Sequence, residues 1–273
     1  MSDERRTESR NPRAAGLGTA TTREILELMN DEDATVAAAV RIALPEIERA
    51  VEAIVQAVEL GGHVRYVGAG TSGRLGVLDA SETPPTFGVA PDLFHGIIAG
   101  GDGALRSAVE GAEDSAEDGR RDLEAVLAPH DVVVGISASG QAPYVRGALG
   151  AARGRAGTVG ITCVAGSALA TAADIAIVVD VGPEVVAGSS RLKAGTATKL
   201  ILNMLSTAAM IRSGRTKGDL MIDVRATNEK LRGRAVRMVR DELGITAAEA
   251  RARLDAADWS VRRALAARPD ADR

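Results

Sequence analysis

The sequence predicts an α/β protein, a three-layer sandwich with a five-stranded parallel sheet in the flavodoxin-like order 2-1-3-4-5. Helices precede the sheet and a small three-helix module follows it. Three observations predict this. Short apolar runs alternate with helical stretches between His63 and Ile211, the spacing of parallel crossovers. Only two Phe, two Tyr and one Trp occur in 273 residues that are 45% hydrophobic. The core is therefore built from Ala, Val, Ile and Leu, which suits helices packed closely on strands buried on both faces. Hydroxyl-rich glycine loops follow the first and third strands, which are neighbours in that strand order.

The elements follow in turn. Thr21-Thr22 caps a helix through about Asn30, and the acidic turn Asp31–Asp33 starts another to about Ala43. Pro45 suits the first turn of a third helix, with apolar Ile47, Val51, Ile54, Val55 and Val58, ended by Gly61-Gly62. Strands are expected over His63–Val67, Phe94–Ala99, Asp131–Ile136, Thr158–Cys163 and Ile175–Val179. Helices are expected from Gly73 through Ala80, in segments to about Leu127, from Pro143 to about Arg153, and over Lys193–Ile211. Three short helices close the chain, Asp241–Leu243, Ala247–Ala256 and Ser260–Ala266, around Leu243, Leu254, Trp259, Val261 and Leu265. The implied division is a helical segment over 1–50, a sheet domain over 51–213 and a helical region over 214–273.

Composition excludes several functions. The net charge of −4 and the scarcity of aromatics speak against nucleic-acid binding. The Arg-rich stretches Arg5–Arg10, Arg232–Arg240 and Arg251–Arg263 are interleaved with acids or apolar residues and read as solvated faces. One cysteine, Cys163, fits a reducing compartment, and the charged start Met1–Arg13 is no signal peptide, so a cytoplasmic location is expected. No apolar run approaches the roughly 18 residues of a membrane span. His63, His95 and His130 stand far apart without ligand spacing, so no metal site is expected.

The chemistry sits in the loops. Gly68-Ala-Gly70-Thr71-Ser72-Gly73 follows a strand and opens a helix. It matches the dinucleotide pattern G-x-G-x-x-G, but its two hydroxyls suit a phosphate monoester, held by helix-terminal N–H groups. A second such loop, Ser137-Ala-Ser139-Gly140-Gln141, follows strand three. Together they point to a sugar phosphate and not to a nicotinamide. Two carboxylates draw notice: Glu82 in Ala80-Ser-Glu-Thr-Pro-Pro85, just after the first loop's helix, and Glu113 in Val109-Glu-Gly-Ala-Glu-Asp114. By spacing alone each reads as a solvated acid or a helix cap.

Longer motifs carry a resemblance. GAGTSGRLGVL over 68–78, DASETPP over 79–85, VEGAEDS over 109–115, DVVVGISASG over 131–140, GPEVVAGSSRLKAGTAT over 182–198, ATNEKL over 226–231 and TESRNP over 7–12 closely resemble N-acetylmuramic acid 6-phosphate etherases. That family belongs to the sugar isomerase (SIS) fold group, related to glucokinase regulatory protein, and its tail resembles a ubiquitin-associated-like module. The resemblance implies a carbon–oxygen lyase that cleaves the D-lactyl ether at C3 of N-acetylmuramic acid 6-phosphate, in peptidoglycan recycling. It implies Glu82 and Glu113 as the catalytic acids, Glu82 as proton donor, no cofactor, and a homodimer. Sequence leaves open which carboxyl acts as acid and which as base at each step. The expected phosphate-site residues are Gly70, Thr71, Ser72, Gly73, Ser137, Ser139, Gly140 and Gln141. Ser189, Ser190, Arg191 and Lys193 are also expected to line the site. Relatives usually carry Arg-Thr where this chain has Gln141-Ala142, so one phosphate hydroxyl is missing. A non-catalytic phosphosugar-binding regulator is the alternative.

Overall fold

A computed structural model describes residues 8–224, 226 and 228–266. Arg5, Arg6, Thr7, Thr227 and the tail beyond Ala266 lie outside the described residues. The chain forms two compact units. The first runs up to Ser81 and resumes over Asp92–Ala209; the second combines Glu82–Pro91 with the described residues from Met210 onward.

The first unit opens with α1 (Thr22–Asp33), α2 (Val36–Ile42) and α3 (Leu44–Glu59). Thr21 caps α1 in a capping box with Glu24, and Pro45 sits in the first turn of α3. Asp31–Asp33 do not start a helix as expected. They complete the last turn of α1, where Glu32 is buried by a tertiary partner that spacing cannot reveal.

The sheet consists of β1 (Val64–Gly68), β2 (Phe94–Ile98), β3 (Val132–Ile136), β4 (Gly157–Thr162) and β5 (Ile175–Val178). All pairings are parallel and the order is β2-β1-β3-β4-β5, as the loop positions predict. The crossovers are α4 (Gly70–Phe87), α5 (Ala116–Glu124), α6 (Pro143–Ala152) and α7 (Ala168–Ala172), and α8 (Lys193–Arg212) follows β5. On one face Val67 and Val133 pack with Leu123, Val145, Leu149 and Leu169 of α5, α6 and α7. On the other, a Cβ added to Gly76 of α4 would touch Tyr66 and Ile136, and the Tyr66 hydroxyl donates to Asp79 of α4, which also accepts from Ser206 of α8. The low aromatic content is matched by close helix contact: a Cβ at Gly119 would lie 1.9 Å from the Tyr144 carbonyl, and one at Gly147 the same distance from that of Ala116.

Two boundaries differ from expectation. The first loop's helix does not stop near Ala80. It runs on through Pro84 and Pro85 to Phe87, so Glu82 is a helical residue rather than a loop residue. The prolines fall in the last turn, where each removes one helical N–H···O bond and the helix ends within three residues. The short α7, capped by Ser167, is an element the sequence did not reveal.

In the second unit α9 (Glu229–Leu243), α10 (Ala247–Ala256) and α11 (Val261–Ala266) surround a core of Ala235, Val236, Val239, Ala250, Leu254 and Val261. Leu243, Trp259 and Leu265 pack at its edge. The first of these helices is far longer than expected: its dense Arg content masks an apolar stripe at Leu231, Ala235, Val236, Val239 and Leu243. Asp258 and Trp259, at φ 46° and 59°, make the left-handed turn between the last two helices. Also within this unit, Gly88 runs against Asp223, whose carbonyl oxygen lies 2.1 Å from where a Cβ would sit.

The entry to the sheet is held by a buried charge. Asp131 accepts the N–H groups of His63 (2.8 Å) and Ala128 (2.9 Å) and pairs with Arg65 Nε at 2.9 Å. Burial by itself would raise its pKa, but the Ala128 N–H, the Arg65 guanidinium and the His63 contacts outweigh it and hold the carboxyl below its ordinary value. That contribution is therefore present above the unfolded-state carboxylate pKa and is lost as pH falls through the folded-state value. Replacing Asp131 by Ala leaves Arg65 unpaired and is expected to destabilise the chain by about 3–5 kcal/mol in denaturant melts. The acid-side loss of stability expected of the unsubstituted protein should flatten in Asp131→Asn.

Candidate active site

β1 and β3 pair in register from Val64–Val132 to Gly68–Ile136, so both end at one level and their loops open side by side. At the first loop, Gly68 lies so close to the α4 backbone that a Cβ would fall 2.6 Å from the Gly73 nitrogen. Gly70, at φ 52°, begins α4, which places the first N–H groups of an 18-residue helix, with the Thr71 and Ser72 side chains, beside the cavity.

The second loop is braced from within. Ser137 Oγ accepts the Gly140 N–H at 3.1 Å, and Ser139 Oγ accepts that of Gln141 at 3.3 Å. The Ala138 carbonyl accepts from Cys163 N and the Gly140 carbonyl from Leu169 N. Gly140 has φ 68°, and a Cβ there would sit 2.2 Å from Ser167 Oγ. Ala142 occupies the N-cap position of α6 and, having no hydroxyl, makes no side-chain cap. The start of α6 therefore faces the cavity uncapped. An anion can take the acceptor role at these N–H groups.

The two loops bound a cavity of about 310 Å³ lined by Ala69, Gly70, Thr71, Ser72, Ile136, Ser137, Ala138, Ser139 and Ala142, closed by Glu8, Glu113, Gly188 and Ser190. Its volume lies at the lower end of the range for small-molecule sites. Its lining is hydroxyls, backbone, small or apolar side chains and two carboxylates, with no Lys or Arg among the described residues. Negative phosphate oxygens would be met by N–H dipoles and hydroxyls, and the carboxylates are left for chemistry.

Of the residues expected from sequence, Gly70, Thr71, Ser72, Ser137, Ser139, Ser190 and Glu113 line this cavity together. Gly73 and Gly140 shape the loops from behind it, and Gln141, Ser189 and Arg191 stand outside its lining. Lys193 is turned inward: 3% exposed, it pairs with Glu32 at 2.6 Å. Glu184 accepts the backbone N–H groups of Lys193 and Ala194 and so caps α8. Glu82 is exposed on α4, twelve residues beyond Gly70, about 18 Å by helical rise, and is not among the cavity's lining residues.

Two lining residues escaped the sequence reading. Glu8 lies against Gly188, whose φ of 76° and missing Cβ leave room for that carboxylate 2.7 Å from the Cβ position. The motif over 7–12 was the available signal, but nothing local marks its Glu as facing a site 180 residues away. The segment is held in place by Asn11, whose side chain donates to the Pro183 carbonyl at 3.2 Å. Cys163 is no nucleophile: burial pushes its thiol up to about 12.

Residues 46–153 match the family model described as the glucokinase regulatory protein N-terminal SIS domain, and residues 112–208 match the SIS domain. An N-acetylmuramic acid 6-phosphate etherase from Jannaschia sp. is 53% identical over 94% of this chain and 82% of its own. One from Escherichia coli is 53% identical over 95% of this chain and 88% of its own. The chain belongs to the N-acetylmuramic acid 6-phosphate etherase family. The fold is shared with a solved phosphoheptose isomerase from Francisella tularensis, 21% identical with a TM-score of 0.57, which aligns over 70% of this chain and 100% of its own length.

For this etherase family member, the Gly140 loop is the most sensitive structural element of the site. Gly140→Ala forces a left-handed residue against Ser167, and should destabilise the fold by about 1–3 kcal/mol and weaken inorganic phosphate binding measured by calorimetry. Lys193→Met, by contrast, takes from buried Glu32 its buried partner and leaves only the half-exposed Arg13 paired with it. It should lower the melting temperature while sugar-phosphate affinity in the surviving folded protein changes little.

Proposed function

We propose that this family member binds N-acetylmuramic acid 6-phosphate with its phosphate between the Gly70–Ser72 and Ser137–Ala142 loops. There it cleaves the C3 lactyl ether by elimination followed by hydration. Family membership makes the chain an etherase, a carbon–oxygen lyase. The observation that supports the placement is that Glu113 lines the same cavity as both phosphate loops.

In the open-chain sugar the C2 proton is α to the C1 aldehyde and can be removed by a carboxylate base. Glu113 takes it. The ether oxygen leaves only when protonated, and Glu82 donates that proton. D-lactate departs, giving a 2,3-unsaturated aldehyde. Water then adds at C3 with the proton transfers reversed: Glu82 takes a proton from the water and Glu113 returns one to C2. The sum is substrate plus water to N-acetylglucosamine 6-phosphate plus D-lactate, and the acid–base steps need only the two carboxyl groups.

The distance along α4 decides how Glu82 takes part. Glu82 is too far along the helix to serve the cavity at its own helix start, so we assign it to the cavity of a second copy in a homodimer. Exposed apolar side chains stand where such an interface needs them. Leu78, 42% exposed, lies one turn before Glu82 on the same face of α4, and Val186, 59% exposed, stands beside the Gly188 rim. A two-fold interface that brings Leu78 to the partner's Val186 builds both sites at once. The regulatory reading needs phosphosugar binding without turnover. We place the enzyme in the cytoplasm, where recycled muramyl phosphates occur.

Purified protein should release D-lactate from N-acetylmuramic acid 6-phosphate; tight binding without lactate would favour the regulator. Glu113→Gln and Glu82→Gln should each lower kcat about 10²- to 10⁴-fold. In D2O, exchange at C2 should persist in Glu82→Gln and vanish in Glu113→Gln. Mixing the two inactive variants under exchanging conditions should restore activity, near a quarter of wild-type sites by statistical pairing. No recovery in mixed dimers would show that Glu82 serves its own subunit's cavity.

A further inference from the structure

A second hollow adjoins the phosphate cavity and shares Ala69, Gly70 and Glu113 with it. It measures about 190 Å³, and its remaining walls are small or apolar (Ala99, Ala104, Ala108 and Val109) apart from Glu110 and Arg74. Glu113 therefore stands at the junction of two compartments, one floored by the anion loops and one by alanines.

Arg74 is the feature that gives the second compartment a chemistry. It lies on α4 one turn after Gly70, on the same helical face. It is half-buried, and its one hydrogen bond among the described residues is from Nε to the Leu105 carbonyl at 3.3 Å. That bond orients the guanidinium while leaving its two terminal nitrogens free, and no carboxylate among the described residues forms an ion pair with it. An Arg fixed through Nε with both terminal nitrogens open is arranged for a planar anion gripped in two places.

Resting on the activity proposed above, we infer that this hollow receives the lactyl substituent, with the lactyl carboxylate on Arg74 and the lactyl methyl against Ala99, Ala104 and Ala108. The geometry agrees with the chemistry. The base Glu113 must reach C2, the carbon next to the one that carries the ether, and it stands where the two hollows meet. The substituent carries one carboxylate and one methyl group; the hollow offers one guanidinium and alanine walls. Glu110 is exposed at the rim and Glu113 stands at the junction with the phosphate cavity, so Arg74 is the cation among the lining residues. Arg74 is thus a specificity-determining residue that separates the substrate from the product lacking the lactyl group.

The test compares two ligands that differ only in that group. Arg74→Met should raise KM for N-acetylmuramic acid 6-phosphate about 10- to 100-fold, the loss of a charge-assisted hydrogen-bond pair. The inhibition constant of N-acetylglucosamine 6-phosphate should stay within about twofold, which also reports an intact site. Arg74→Lys should recover part of the loss. Ala108→Leu, at an exposed wall position that tolerates bulk, should raise KM for the substrate and spare inhibition by the product. An equal rise for both ligands in Arg74→Met would make Arg74 a phosphate or structural residue, and no change in either would remove it from the site; both overturn the inference. Absence of lactate release by the unsubstituted enzyme would instead overturn the activity on which it rests.

Discussion

β1 and β3 lie side by side and end level, from Val64–Val132 at the entry to Gly68–Ile136 at the exit. Asp131 clamps the entry by accepting N–H groups from both strand approaches and a guanidinium from β1 itself. With that register, both loops leave the sheet at the same height, and the starts of α4 and α6 converge on one volume. A slip of one residue would exchange the two faces of every strand and move one loop out of reach of the other. The remaining features of the site, including the hydroxyl groups, the open N-cap at Ala142 and the approach of Glu113, presuppose this pairing.

The electrostatic division of the molecule follows from it. Charges that serve stability are buried and paired away from the cavity: Asp131 with Arg65 beneath the sheet, and Glu32 with Lys193 behind the start of α8. In Glu32, burial raises the pKa while the Lys193 ammonium and its hydrogen bond lower it, and the lowering prevails. The cavity itself is lined by carboxylates and, among the described residues, by no cation. Ala142 leaves the start of α6, beside this cavity, without a side-chain cap.

Much of this was legible in the residues. Strand positions, strand order and both anion loops follow from apolar runs and glycine spacing, because parallel strands and phosphate turns leave local signatures. Legibility failed where a decisive partner is distant. Asp31–Asp33 look like a helix start until Lys193 draws Glu32 inward. Pro84-Pro85 look like a stop, yet α4 carries them in its last turn. α9 hides its stripe beneath arginines. Lys193 looks like a phosphate ligand by its place in a conspicuous motif and is instead a buried counter-ion.

By itself, the sequence determined the class of fold, the two glycine and hydroxyl loops after the first and third strands and, through long motifs in order, the family. Each of those rests on local spacing: glycines where the backbone must turn, hydroxyls beside helix starts, apolar runs of strand length. Tertiary structure alone decided which residues share a cavity. It brought Glu8 across to Gly188, put Glu113 between two hollows with Arg74 in the second, and set Glu82 some three turns down its helix. The reason is that proximity across a sheet is fixed by register and crossover packing, which join residues far apart in the chain and leave no periodicity for a linear reading to find.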